Sequence, residues 1–161
     1  MDTETTGRSG TLDFQQLVAG AGDAIIVSDR DGVIVFWNAA AERVFGFTEA
    51  EALGRTLDLI TPERHRERHW EGYRVTMETG VTRYGEALLK VPALRKDGAD
   101  LSIAFTVSLL RDATGAVSQI VAIVRDETAR WKEDRELRLR LKALKSARPK
   151  EAARETVPDT A

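Results

Sequence analysis

His65 and His69, the only two histidines in this 161-residue chain, stand four residues apart in the stretch P-E-R-H-R-E-R-H-W-E-G-Y that begins at Pro62. On a helix, positions i and i+4 share a face, so the pair could in principle hold a dication. The text H-R-E-R-H argues against it. A zinc hydrolase needs a glutamate directly after the first histidine, and Arg64, Arg66 and Arg68 would repel a metal cation. Zinc is therefore not assigned. At about 100° per residue, Trp70, Tyr73 and Met77 form one apolar stripe, and His69 falls beside it. The arginines could bind an anion, but their spacing from Glu63, Glu67 and Glu71 fits ion pairing along an exposed helix face.

Other chemistries find no support. The chain has no cysteine, which excludes disulfides, thiolate metal sites and thiol nucleophiles and leaves the redox compartment open. No nucleophile elbow or phosphate-cradling glycine loop is present, and no histidine shares a motif with a serine. Asp29, Asp31, Asp97 and Asp112 stand where turns use aspartate. We expect no catalytic activity. A net charge of −2 gives no field to draw nucleic acid. The basic residues near the C-terminus, among them Arg138, Arg140 and Lys142, lack aromatic partners or a reading motif. No apolar run approaches the roughly 20 residues that cross a bilayer, and the polar N-terminus lacks a secretory segment. The expectation is a cytoplasmic protein without membrane or nucleic-acid partners.

The elements that must position these residues can be read in turn. Residues 1–10 form a polar lead, expected to be disordered. Thr11 offers a cap for a short helix carrying Leu12, Phe14, Leu17 and Val18. Two strands joined through the Asp29–Gly32 turn follow. Asn38 caps a helix that Gly46 closes, and Thr48 with Glu51 makes a capping box for a second helix that ends at Gly54. Thr61-Pro62 starts the histidine-bearing helix, with Pro62 at its first position and Gly80 as its stop. Three strands follow, over about 84–94, 101–110 and 117–125. Pro92 marks the first as an edge strand or a bulge. In the second, Leu101, Ile103, Phe105, Val107 and Leu109 face one way and Ser102, Ala104, Thr106 and Ser108 the other. Five strands with helices on one face make an α+β architecture. A charged helix over 128–147 places Leu137, Leu141 and Leu144 at coiled-coil spacing, although Asp134 interrupts the seam. The same leucines could instead pack on the chain's own domain or a sister domain. The residues from 148 to 161 read as a disordered tail.

Several of these segments together resemble the PAS family of bacterial sensor modules. They are Asp23–Gly32, the run W-N-A-A-A-E-R-V-F-G-F-T-E-A-E-A-L-G from Trp37, Gly54-Arg55-Thr56-Leu57, Ile60-Thr61-Pro62, Arg95-Lys96-Asp97-Gly98 and Val124-Arg125-Asp126-Glu127-Thr128. The resemblance covers roughly 12–128. It implies a PAS domain over 11–127, with a five-stranded antiparallel sheet, short helices on one face and a signalling helix over 128–147. It further implies that Asp126, with Thr128, couples the sheet to that helix through a switchable ion pair or hydrogen bond. A homodimer and a signalling partner are expected, the partner being a kinase or a regulator, transcription regulation included. No effector domain fits in the remaining residues, so the chain would act through that partner or be part of something longer.

The stretch from Pro62 to His69 resembles the heme-binding PAS oxygen and gas sensors more narrowly. Their proximal histidine lies on this helix, seven residues after the corresponding proline. By that resemblance His69 is the axial ligand of heme iron. Trp70, Tyr73, Leu88, Leu89, Ile103, Phe105, Val107, Ile120 and Ile123 would line the pocket. Aliphatic walls suit a macrocycle, and a neutral imidazole suits iron. The distal side departs from the family. Leu89 stands where one branch has an arginine, and Ala87 falls near an alternative distal methionine. An apolar sixth site would favour CO or NO, or a five-coordinate resting state. Light-sensing flavin members need a reactive cysteine, which this chain lacks; a non-covalent flavin or another small organic ligand stays open. The competing reading is a ligand-free interaction module, with His69 a solvated residue and Trp70 filling the space a porphyrin needs.

Overall fold

The computed structural model describes residues 12–82 and 87–147. The expected lead and tail, and the proposed cap Thr11, lie outside them. Five helices and five strands follow in the order α1 (Phe14–Ala19), β1 (Ala24–Ser28), β2 (Ile34–Trp37), α2 (Ala39–Phe45), α3 (Glu49–Ala52), a 3-10 turn (Leu57–Leu59), α4 (Glu63–Thr79), β3 (Leu89–Leu94), β4 (Asp100–Arg111), β5 (Val117–Asp126) and α5 (Thr128–Ala147). The strands make one antiparallel sheet in the order β2-β1-β5-β4-β3. The sheet, the connecting helices and α4 form one compact unit, and α5 belongs to a second.

Local chemistry sets the boundaries. Asn38 is buried, and all its side-chain capacity is used. Its Oδ1 accepts from the N–H groups of Ala41 and Ile25, which caps α2 and holds β1, while its amide donates to the carbonyls of Val18 and Asp23. One side chain thus joins the ends of four segments. Gly46 ends α2 at φ 78°, where an L side chain would be strained. The capping box of Thr48 and Glu51 opens α3. α1 is capped by Asp13, whose carboxylate accepts from Gln16 N–H. Pro62 stands one position before α4 rather than inside it, and is itself buried.

The core lies between the sheet and the helices and has two clusters. The first centres on Ile34, Trp37 and Phe45, all essentially inaccessible, with the Trp37 and Phe45 rings 5.4 Å apart. The second gathers Tyr73 and Met77 of α4 against Val117 and Ile120 of β5, with Leu57, Trp70, Val107 and Leu109 around them. β4 alternates as its sequence requires, presenting Leu101, Ile103, Phe105, Val107 and Leu109 to the core. β3 is an edge strand, consistent with Pro92, and begins at Leu89, with residues 87 and 88 outside it; positions 84–86 of the expected strand lie outside the described residues. A register irregularity between Leu110 and Arg111 lets both Val117 and Ile120 turn inward, three residues apart.

Two expected lining residues are corrected. Ile123 pairs with Ile25 and Thr106 on the outer face of the sheet and is 43 % exposed. Strict alternation with Ile120, Ala122 and Val124 forces this, because 123 is odd within that series. Leu88 precedes β3 and is 57 % exposed. It lines a hollow with Ile123 on the outer face, whereas its neighbour Leu89 pairs with the inward Phe105.

Candidate functional site

α4 begins after Pro62 and ends at Gly80, and its buried stripe contains Tyr73 and Met77. His69 precedes them in the same i, i+4, i+8 line and is half-buried. Its Nδ1 is buried and has no hydrogen-bond partner. The imidazole lies edge-on to Trp70, ring centres 5.0 Å apart, and 5.9 Å from the Tyr73 ring. Burial pushes its pKa below the usual histidine value, and the Asp58 carboxylate only partly offsets this. Its surroundings therefore favour the neutral imidazole, and its Nδ1 is uncommitted.

Trp70 and Tyr73 are each fixed by a polar tip. The Trp70 indole N–H donates to Asp58 Oδ1 at 2.8 Å. Its six-membered ring covers the β1–β2 turn so closely that a Cβ on Gly32 would come within 2.2 Å of it. Asp58, in the 3-10 turn, also faces the Arg66 guanidinium at 3.7 Å, and Arg66 reaches the carbonyls of Asp58 and Thr61. The Tyr73 hydroxyl donates to the Asp29 carbonyl at 2.5 Å and lies 2.8 Å from Ser28 Oγ. With its single proton given to Asp29, it accepts from Ser28. Burial, with the nearby negative charges of Asp29 and Asp31, raises its pKa to about 12 despite the Ser28 bond, so the phenol stays protonated.

A surface cavity of about 290 Å³ opens beside this cluster. Trp70, Tyr73 and Met77 form its wall, and Arg30, Asp31, Arg74 and Glu78 its rim. A second hollow, of about 190 Å³, lies on the outer sheet face, where Leu88, Ile123, Ala104 and Thr106 meet the Asp23–Arg125 ion pair and Glu127. His69 lines neither of them.

The expected site residues therefore divide. His69, Trp70 and Tyr73 come together on α4. Ile103, Phe105, Val107 and Ile120 line the inner face of the sheet, and Leu89 joins them on the same side. Leu88 and Ile123 do not. His65 does not converge with His69: its Nε2 accepts from Arg64 Nε at 3.1 Å. Among the described residues no cluster of three or more histidines and carboxylates could hold a metal ion. Asp126 ends β5 and Thr128 begins α5. Three residues of the site, Ser28, Asp58 and Gly32, are not picked out as site residues by the sequence. Ser28 carried a legible signal, as a hydroxyl in phase with Ala24 and Ile26. Asp58 and the Gly32–Trp70 contact carried none, since they join segments far apart in sequence.

Comparison with known proteins identifies the fold. A family model described as the PAS fold matches residues 12–126. The sensor protein FixL of Bradyrhizobium diazoefficiens is 32% identical over 127 residues, covering 77% of this chain and 23% of FixL. The oxygen sensor protein DosP of Escherichia coli is 28% identical over 138 residues, 84% of this chain and 17% of DosP. The chain thus spans less than a quarter of the length of these relatives. The crystal structure of a PAS domain from Colwellia psychrerythraea superposes with a TM-score of 0.63 at 22% identity, covering 71% of this chain and 94% of that one.

Proposed function

This chain belongs to the PAS family, and on that premise we propose that it is a sensory module that binds its input ligand at His69 and passes the signal to a partner protein through α5. The observation that carries the reading is the half-buried His69 imidazole with its buried, unpartnered Nδ1, in surroundings that favour the neutral form. A buried polar atom without a partner costs stability. Retaining one on the helix that faces the sheet is reasonable where a ligand completes it.

Heme is the ligand we propose. A single neutral imidazole is the donor that axial ligation needs, and the sensor relatives FixL and DosP align across this helix. His69 would hold the iron, with Leu89, Ile103, Phe105, Val107 and Ile120 as the apolar wall. The group would supply gas binding or a one-electron redox change, which the apolar side chains here cannot. Room for it requires Trp70 to leave its present position. The spectrum of protein purified with ample heme supply tests the reading. A stoichiometric Soret band, lost in His69→Ala, is the expected result; no band, or one that the mutation leaves unchanged, removes it.

One observation favours a second reading, a ligand-free interaction module. Trp70 and Tyr73 pack into the second core cluster with Val107 and Ile120 and already fill space beside His69. In that case the domain signals by association alone. On either reading the output is α5, whose Leu137, Leu141 and Leu144 are more than half exposed and offer a dimer seam, with Asp126 and Thr128 coupling it to the sheet. The partner would be a kinase or another regulator. No helix among the described residues is long and apolar enough to cross a membrane, and we place the module in the cytoplasm.

A further inference from the structure

We infer that Trp70 is a tethered gate between the surface cavity and His69, held shut by its hydrogen bond to Asp58. The inference rests on the reading of His69 as the input group. Trp70 and Tyr73, which wall the 290 Å³ cavity, are also the two rings in contact with the His69 imidazole. Nothing else about the cavity selects a ligand, because its two arginines and two carboxylates offset one another. It is better suited as a way in than as a destination.

The two rings differ in how firmly they are held. Tyr73 is buried and hydrogen-bonded at its tip to both a side chain and a backbone carbonyl of β1 and its turn. Trp70 is only half-buried and has a single polar anchor, its indole N–H on Asp58. Its ring rests on Gly32, a residue with no side chain to interlock with it. Loss of that one bond frees the indole to swing off the turn. The ring that moves is then the one packed against His69, ring centres 5.0 Å apart, and its departure joins the cavity to the imidazole. Asp58 acts here as a positioning residue.

The test measures access to His69 with diethyl pyrocarbonate, a small electrophile that acylates neutral imidazole nitrogens, on the full chain at pH 8. Mass spectrometry reads His65 and His69 separately, and His65 serves as the internal reference. Asp58→Ala is expected to speed modification of His69 by about tenfold, the scale set by removing a charge-assisted hydrogen bond, with His65 unchanged. Asp58→Asn, which keeps an acceptor oxygen for the indole, should restore the slow rate. Should Asp58→Ala fail to fold, Trp70→Phe removes the same bond from the other side and should give the same acceleration. An unchanged His69 rate, an equal rise at both histidines, or no rescue by asparagine would overturn the gate. Hemin added to the same proteins separates the two readings: without a His69-dependent spectrum the heme assignment fails, while the acylation rates still decide the gate.

Discussion

The Tyr73 hydroxyl of α4 accepts from Ser28 of β1, 2.8 Å away, and donates to the carbonyl of Asp29. This pins the middle of the helix to the start of the β1–β2 turn, across a sequence gap of 45 residues. Tyr73→Phe leaves the buried Ser28 hydroxyl and the Asp29 carbonyl short of a partner, at a cost of about 1–3 kcal/mol. Ser28→Ala removes one donor and leaves the phenol bonded to Asp29, so its cost should be smaller, about 1 kcal/mol. Urea denaturation of both single variants and the double variant checks this. The double should cost less than the sum, because it removes both ends of one bond.

The raised pKa of Tyr73 gives a test at alkaline pH. Between the ordinary value of 10 and about 12 the folded state keeps a proton that the unfolded state releases. Stability from this group is complete below pH 10 and is lost as pH rises toward 12. The wild-type protein should therefore weaken faster over that window than Tyr73→Phe. A difference titration at 295 nm between the two proteins should assign the late-ionising phenol to Tyr73. Parallel stability curves through pH 11 would show that burial does not govern the group.

Gly32 and Gly54 have nearly the same backbone, at φ 74° and 77°, but different surroundings. An added Cβ at Gly54 meets open space, whereas at Gly32 it collides with the Trp70 ring. Gly54→Ala should cost only the left-handed backbone strain, about 1–2 kcal/mol. Gly32→Ala should cost more, since the indole must also move, and it should shift the tryptophan emission while Gly54→Ala does not. Equal melting temperatures and unchanged emission would place Trp70 elsewhere.

What the sequence disclosed follows the range of each interaction. Asn38, Gly46, the Thr48–Glu51 box and the alternation of β4 act within a few residues, and their sequence pattern is their mechanism. The helix carrying His69 was legible for the same reason. The errors lie where two constraints compete. Ile123 is apolar and is expected in the core, yet its place in the alternation of β5 sends it outward, and Leu88, just before β3, lies beside it on the outer face. The Asp58 acceptor for Trp70 was invisible because nothing in L-D-L announces a partner 12 residues away. The partial burial of His69 was only half legible, since an arginine-rich helix gives the apolar stripe little contrast.

The seam on α5 makes a last prediction. Leu137, Leu141 and Leu144 fall on one line of the helix, whereas Leu139 is equally exposed on another. If α5 pairs with its counterpart in a second copy, a carboxylate at Leu141 is buried without a partner and breaks the pair. A carboxylate at Leu139 stays in water. Light scattering across a concentration series should show a dimer for wild type and Leu139→Asp, and a monomer for Leu141→Asp. Because the seam is short and Asp134 occupies its next position, the dimer should dissociate readily on dilution. A wild-type monomer at every concentration, or equal behaviour of the two variants, would return these leucines to the role of a solvated helix face.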